Sequence, residues 1–114
     1  MPKVTFEVTS YEIKMARELT ATAGDVPLSF PAHITCSGDG GYVTIYFLHD
    51  ASQSSPNYWH GANRGTIFMP RWQYDWVVDI LRNEKPVYCT LSSDNPKWHS
   101  LHTGPEPPGD GEQL

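Results

Sequence analysis

The sequence lacks the features that identify several classes of protein. Its 114 residues contain no apolar stretch of the length that spans a bilayer, roughly 18 residues or more, so we predict no membrane-spanning helix. The N-terminal residues MPKVTFEVTS alternate between apolar and polar side chains and contain no apolar signal core. These absences predict a cytoplasmic protein.

Cysteine is scarce. Cys36 and Cys89 are the only two, and no C-x-x-C pair occurs. A disulfide framework is therefore not indicated, and we interpret both as buried thiols of a reduced, intracellular protein. The alternation of Val87, Cys89 and Leu91 places Cys89 on an apolar face, which does not suit a reactive nucleophile.

Positive charge is also limited. The chain has 8 Lys and Arg against 13 Asp and Glu, which gives a net charge of −5 at pH 7. No basic cluster occurs, and nucleic-acid binding depends on neutralising phosphates, so we expect no nucleic-acid partner. An acidic chain can bind a basic protein, whereas this modest charge is weak support for mimicry of a nucleic acid.

Motifs that would indicate catalysis or a cofactor are missing. There is no G-x-S-x-G sequence, and SGDGG (37–41) lacks the spacing of phosphate-binding loops. His99 and His102 are three apart in a predicted strand, where their side chains would point to opposite faces. We therefore predict no catalytic residues, cofactor or metal. A site that combines Cys36 or Cys89 with distant histidines is left open.

Alternation of apolar and polar residues predicts several strands. The segment 11–20 fits a strand better than a helix, although it would need a bulge near Thr9 and Ser10. Pro31 cannot donate to a ladder, so its strand should have an edge or a bulge there. The apolar segment 42–49 is typical of a central strand. The other predicted strands are 3–9, 28–36, 66–69, 87–91 and 97–102.

One amphipathic helix is predicted at about 71–83, between Pro70 and Pro86. Its polar side carries alternating acids and bases, which we interpret as a solvated, charge-balanced face. Its apolar stripe is expected to pack on a sheet. The stripe consists of Trp72, Trp76, Val77, Ile80 and Leu81, and the polar side of Arg71, Asp75, Asp79 and Arg82.

These patterns predict an α+β fold with a mainly antiparallel sheet, sandwich-like or half-barrel-like, of about five to seven strands and one helix. Residues 1–102 are predicted to form a single globular domain. Residues 103–114 are rich in proline, glycine and acids, and we expect a flexible tail.

Aromatic residues are the most unusual feature of the sequence. The polar segment 50–65, predicted to be a long loop, contains Tyr58 and Trp59, and exposed aromatic side chains are enriched at binding surfaces. Packing of Trp59 on the core is the alternative interpretation. The candidate binding residues are Tyr58, Trp59, His60, Arg64 and Trp98.

We accordingly predict a small acidic, non-enzymatic domain that binds another protein, with homo-oligomerisation left open. The alternative function is a small-molecule or glycan-binding module that uses the loop aromatics. A small enzyme based on His60, His99 or His102 with Asp50 or Asp94 is the least favoured alternative.

Overall fold

A computed structural model describes residues 3–23, 26–48 and 58–104. Short 3₁₀ turns at Arg71–Gln73 and Pro96–Trp98 precede the helix and the last strand. The described elements, in chain order, are β1 (Lys3–Glu7), β2 (Ser10–Ala23), β3 (Val26–Gly38), β4 (Gly41–Leu48), β5 (Tyr58–Gly61), β6 (Arg64–Pro70), α1 (Tyr74–Asn83), β7 (Val87–Ser92) and β8 (Ser100–Thr103).

The strands form two sheets. One has the order β1-β7-β8 and is antiparallel throughout; the other has the order β2-β3-β4-β6-β5. In the larger sheet only the β4–β6 pair is parallel. The predicted α+β class with mainly antiparallel strands is confirmed. The described residues contain eight strands, one of them within the predicted loop.

The core lies between the two sheets and the helix. Because strand side chains alternate between faces, each sheet contributes every second residue. On β3, Ile34 and Cys36 belong to this core, whereas Phe30 is buried in a second cluster with Leu48, against Tyr46 and Phe68. The main cluster of buried side chains comprises Phe6, Ile34, Cys36, Val43, Ile45, Phe47, Ile67, Val77, Leu81, Val87, Cys89 and Leu91.

The chain passes from the small sheet to the large one at Val8 and Thr9. The Val8 amide donates to the carbonyl of Val87 in one sheet, at 2.8 Å, and the Thr9 amide to that of Ser37 in the other, at 2.9 Å. The change in alternation that we attributed to a bulge therefore marks a change of sheet. A Cβ on Gly38 would overlap the carbonyl oxygen of Glu7, so the sheets approach closely here.

Pro31 lies at a bulge, as predicted. The register of β2 against β3 shifts between Met15 and Leu19, which pair with Ala32 and Phe30. Three residues of β2 thus stand opposite Pro31 alone, where the missing amide hydrogen breaks no regular ladder. The central position of β4, between β3 and β6, is also confirmed.

The helix occupies the predicted residues, and the predicted packing of Val77, Ile80 and Leu81 on the core is confirmed. Trp72 and Trp76 are 62% and 60% exposed, so their predicted burial is wrong. Tyr74, in the first turn of α1, packs on the core instead, with its ring edge-to-face on Phe47 at 5.2 Å between centroids. The core-facing stripe therefore runs through Tyr74, Val77, Val78 and Leu81, spaced i, i+3, i+4 and i+7, and Ile80 packs at its border.

The predicted loop 50–65 is partly a hairpin. Strands β5 and β6 pair through a tight turn at Ala62 and Asn63, which have φ of 50° and 58°. Asparagine tolerates this left-handed conformation better than most residues, but the sequence lacks the usual Asn-Gly signal. The remainder of the loop, 50–57, lies outside the described residues.

The C-terminal region differs in two details from its prediction. Residues 96–98 form a 3₁₀ turn, and strand pairing begins at Ser100. The tail predicted at 103–114 starts one residue too early, because Thr103 belongs to β8 and pairs with Val87; residues 105–114 lie outside the described residues. Within the described part of the chain, no helix combines the length and apolar character needed to cross a membrane.

Candidate functional site

The outer face of the large sheet carries a row of polar and aromatic side chains. On β4, Val43, Ile45 and Phe47 point to the core. The residues that alternate with them, Tyr42, Thr44 and Tyr46, lie on the opposite face. The parallel register with β6 pairs Tyr42 with Arg64, Thr44 with Thr66, and Tyr46 with Phe68.

A hollow of about 300 Å³ opens on this face. It brings together two of the sequence-predicted binding residues, His60 and Arg64. Its lining residues are Tyr42, Thr44, Tyr46, His60, Arg64, Gly65 and Thr66.

Contacts within the lining hold its polar side chains in place. The guanidinium carbon of Arg64 lies 5.2 Å from the centroid of the Tyr42 ring, in a cation–π arrangement. His60 Nε2 lies 2.6 Å from Thr66 Oγ1, within hydrogen-bond distance. The hollow thus presents an ordered cation at one end and an ordered imidazole beside a hydroxyl.

An aromatic cluster borders the other end of the hollow. Tyr46 stacks on Phe68 with centroids 5.5 Å apart, and its ring meets Phe30 edge-on at 4.9 Å. Burial, together with the neighbouring Tyr42, raises the pKa of Tyr46. Its phenol therefore remains protonated at neutral pH and keeps a hydrogen to donate.

His33 completes this cluster on the side of β3. Burial is the main cause that lowers its pKa, and Lys14 lowers it further against the opposing effect of Glu12. Its Nδ1 is buried without a hydrogen-bond partner among the described residues. The ring is thus kept neutral and packs as an aromatic group against Tyr46, at 5.7 Å.

The remaining predicted residues lie close by along the backbone. Tyr58 pairs with Thr66 and Trp59 with Gly65, so both belong to β5 at the edge of the sheet. The turn that carries Trp98 packs against β5. The Trp98 side chain is 62% exposed, and the Lys97 ammonium lies 5.5 Å from its ring centroid.

The sequence patterns did not predict four of the lining residues, Tyr42, Thr44, Tyr46 and Thr66. Tyr42, Thr44 and Tyr46 alternate with buried aliphatics, which is a signal for one polar-tipped face. Their assembly with Arg64 depends on the parallel β4–β6 pairing across a long connection. Local sequence patterns do not encode such a pairing.

A second unusual surface is the helix outer face, formed by Trp72, Asp75, Trp76, Asp79 and Asn83. The two indoles meet edge-to-face with centroids 5.0 Å apart. The Asn83 side-chain amide donates to Asp79 Oδ1 at 2.7 Å. Both acids are exposed, so an aromatic pair lies beside carboxylates on the side opposite the core.

The histidines considered for catalysis occupy separate environments. His99 is buried, and its Nδ1 accepts a hydrogen bond from the Ser92 amide at 3.0 Å. His102 is exposed on β8, where its Nε2 lies 2.9 Å from Thr90 Oγ1. The structure therefore does not bring His60, His99 and His102 into one cleft.

The cysteines are structural. Cys36 and Cys89 are fully buried, and burial raises the pKa of both thiols to about 12. The prediction that Cys89 packs in the core is confirmed. Among the described residues, no group of three or more His, Cys, Asp or Glu side chains is placed to hold a metal ion.

Comparison of the chain with protein-family profiles, with curated proteins and with solved structures finds no match. A function must therefore be inferred from the geometry of the hollow and of the helix outer face.

Proposed function

We propose that this chain is a small non-enzymatic domain that binds another protein through the helix outer face. The observation that carries the proposal is the pair Trp72 and Trp76, exposed by 62% and 60% on a helix already anchored by other residues. Tryptophan is one of the residue types enriched at interface hot spots. Other side chains hold the helix on the core, so folding alone does not explain why these two rings are exposed.

The pair is ordered before any partner arrives. Its edge-to-face contact at 5.0 Å restricts both indoles, and the 3₁₀ turn that carries Trp72 leads directly into α1, which carries Trp76. Binding therefore loses less side-chain entropy than it would for two independent, mobile rings. A rigid aromatic patch of this kind favours an interface over simple solvent exposure.

The charges beside the pair indicate the chemistry of the partner. Asp75 and Asp79 are exposed on the same face as the indoles, and the exposed Arg71 and Arg82 follow on the adjacent side of the helix. Indole faces attract cations. The proposed partner presents arginine or lysine next to apolar side chains. A nucleic acid fits less well, because the carboxylates and the net charge of −5 would repel phosphates. The proposal places the complex in the cytoplasm, in keeping with the two unpaired thiols.

The test compares exposed tryptophans on two surfaces. Proteins are captured from the native host lysate with wild-type protein, with the double variant Trp72→Ala/Trp76→Ala and with Trp98→Ala. The captured protein is then purified and titrated against each of the three. We expect the double variant to weaken direct binding by at least about tenfold, while Trp98→Ala binds like wild type. Added salt should also weaken binding.

Other results would overturn this assignment. Loss of binding in Trp98→Ala alone would favour the surface predicted from Tyr58, Trp59 and Trp98. Sedimentation that shows a dimer lost only in the double variant would identify a second copy as the occupant. Unchanged titrations for the double variant would remove the helix outer face from consideration.

A further inference from the structure

The hollow on the large sheet has the properties of a separate ligand site. Its described lining contains a single fully charged side chain, Arg64, and no carboxylate. A hollow with one cation and no acid attracts an anionic group. By contrast, a cavity of about 350 Å³ near the end of α1 has two acids and one base in its lining, Glu7, Glu84 and Lys85, so an anion is not favoured there.

Arg64 is held in a way that leaves its donors available. Its guanidinium carbon lies over the Tyr42 ring, 5.2 Å from the centroid, and a contact with a ring occupies none of the five N–H donors as a hydrogen-bond acceptor such as a carboxylate would. Those donors match the two oxygens of a carboxylate in a bidentate arrangement. The attraction of the Tyr42 ring favours this position of the otherwise exposed Arg64 side chain.

The rest of the lining suits a ligand that carries hydroxyl groups. Tyr42, Thr44, Tyr46 and Thr66 supply hydroxyls that can donate or accept, and His60 adds an imidazole. A volume of about 300 Å³ is at the small end for ligand pockets. It accommodates one sugar-sized ring rather than an extended chain.

From these features we propose that the hollow binds a small hydroxylated carboxylic acid of the sugar-acid class. The carboxylate pairs with the Arg64 guanidinium, and the ligand hydroxyls bond to the hydroxyls of Tyr42, Thr44 and Tyr46. Binding of this ligand is independent of protein binding by the helix outer face, because the two surfaces share no residue.

The test is a titration of the intact chain with D-glucuronate, with D-glucose as the neutral match and inorganic phosphate as a bare anion, followed by NMR. We expect glucuronate to shift the signals of His60, Thr44 and Thr66 and to bind at least about tenfold more tightly than glucose, the difference supplied by one charge-assisted contact. In Arg64→Gln this preference should disappear.

Two further variants complete the design. Arg71→Gln removes an exposed arginine on the helix side and should keep the full preference for glucuronate. Thr44→Val should weaken glucuronate while leaving phosphate unchanged, since it removes only a hydroxyl. An NMR spectrum of each variant without ligand establishes that the fold is intact.

Several outcomes would overturn the proposal. Equal affinities for glucose and glucuronate would show that Arg64 does not bind the ligand carboxylate. Phosphate binding as tightly as glucuronate would reduce the hollow to a simple anion site. Absence of saturable shifts in the lining residues with any of the three probes would exclude a site for this class of ligand.

Discussion

Helix α1, together with the 3₁₀ turn before it, presents aliphatic side chains to the core and tryptophans to solvent. On its inner face Val77 and Leu81 are 5% and 8% exposed, whereas Trp72 and Trp76 on the outer face are 62% and 60% exposed. Burial of an indole would remove more apolar area from water than burial of a valine. Side-chain size therefore does not decide which stripe of this helix faces the sheet.

The difference follows from packing at the first turn. Tyr74 lies edge-to-face on Phe47, and this contact orients the helix so that the residues three and seven positions further on, Val77 and Leu81, meet the core. The outer stripe then has no contact to make within the core. Two large apolar rings therefore stay exposed to solvent, and the proposed protein-binding surface rests on this exposure.

The largest effect is expected on the inner face. Leu81→Ala should lower the free energy of unfolding by about 2–5 kcal/mol, because it removes buried methyl groups and leaves a cavity among well-packed neighbours. Urea denaturation of the purified variant measures the loss. A change below about 1 kcal/mol would indicate that the inner face can collapse around the truncated side chain, or that it contributes little to the core.

The outer face should respond much less. Trp76→Ala should cost less than about 1.5 kcal/mol, the range of a single aromatic pair contact, since most of its surface is already in water. The same urea experiment provides the comparison with Leu81→Ala. A loss of about 3 kcal/mol or more, typical of a buried tryptophan, would contradict the assignment of faces.

The sequence was sufficient for the helix boundaries but not for its orientation. Pro70 and Pro86 flank a segment whose bounds agree with the structure. Two apolar stripes overlap within it, one through Trp72 and Trp76 and the other through Val77 and Leu81. Periodicity treats both alike, and only the partner surface on the sheet, at Phe47, distinguishes them.

The candidate site was predictable in part, for a related reason. His60 and Arg64 were identified from composition, and the structure places both in the hollow. Tyr42 and Tyr46 were interpreted only as parts of an apolar central strand. Their role depends on the parallel pairing of β4 with β6, a contact between distant segments that no turn signal or local alternation specifies.

The smallest expected effect concerns the polar contact on the outer face. The Asn83–Asp79 hydrogen bond joins exposed residues four apart, and such pairs contribute about 0.2–0.5 kcal/mol. Asn83→Ala also improves helix propensity by roughly 0.5 kcal/mol, so the single variant should be nearly neutral. A double-mutant cycle with Asp79→Ala separates the two terms and should give a coupling of about 0.2–0.5 kcal/mol in urea titrations.

A coupling above about 1 kcal/mol would mean that the carboxylate is held far more firmly than surface exposure allows. The outer face would then contribute to the stability of the fold, and the contrast between the two faces of α1 would be weaker than their exposures indicate.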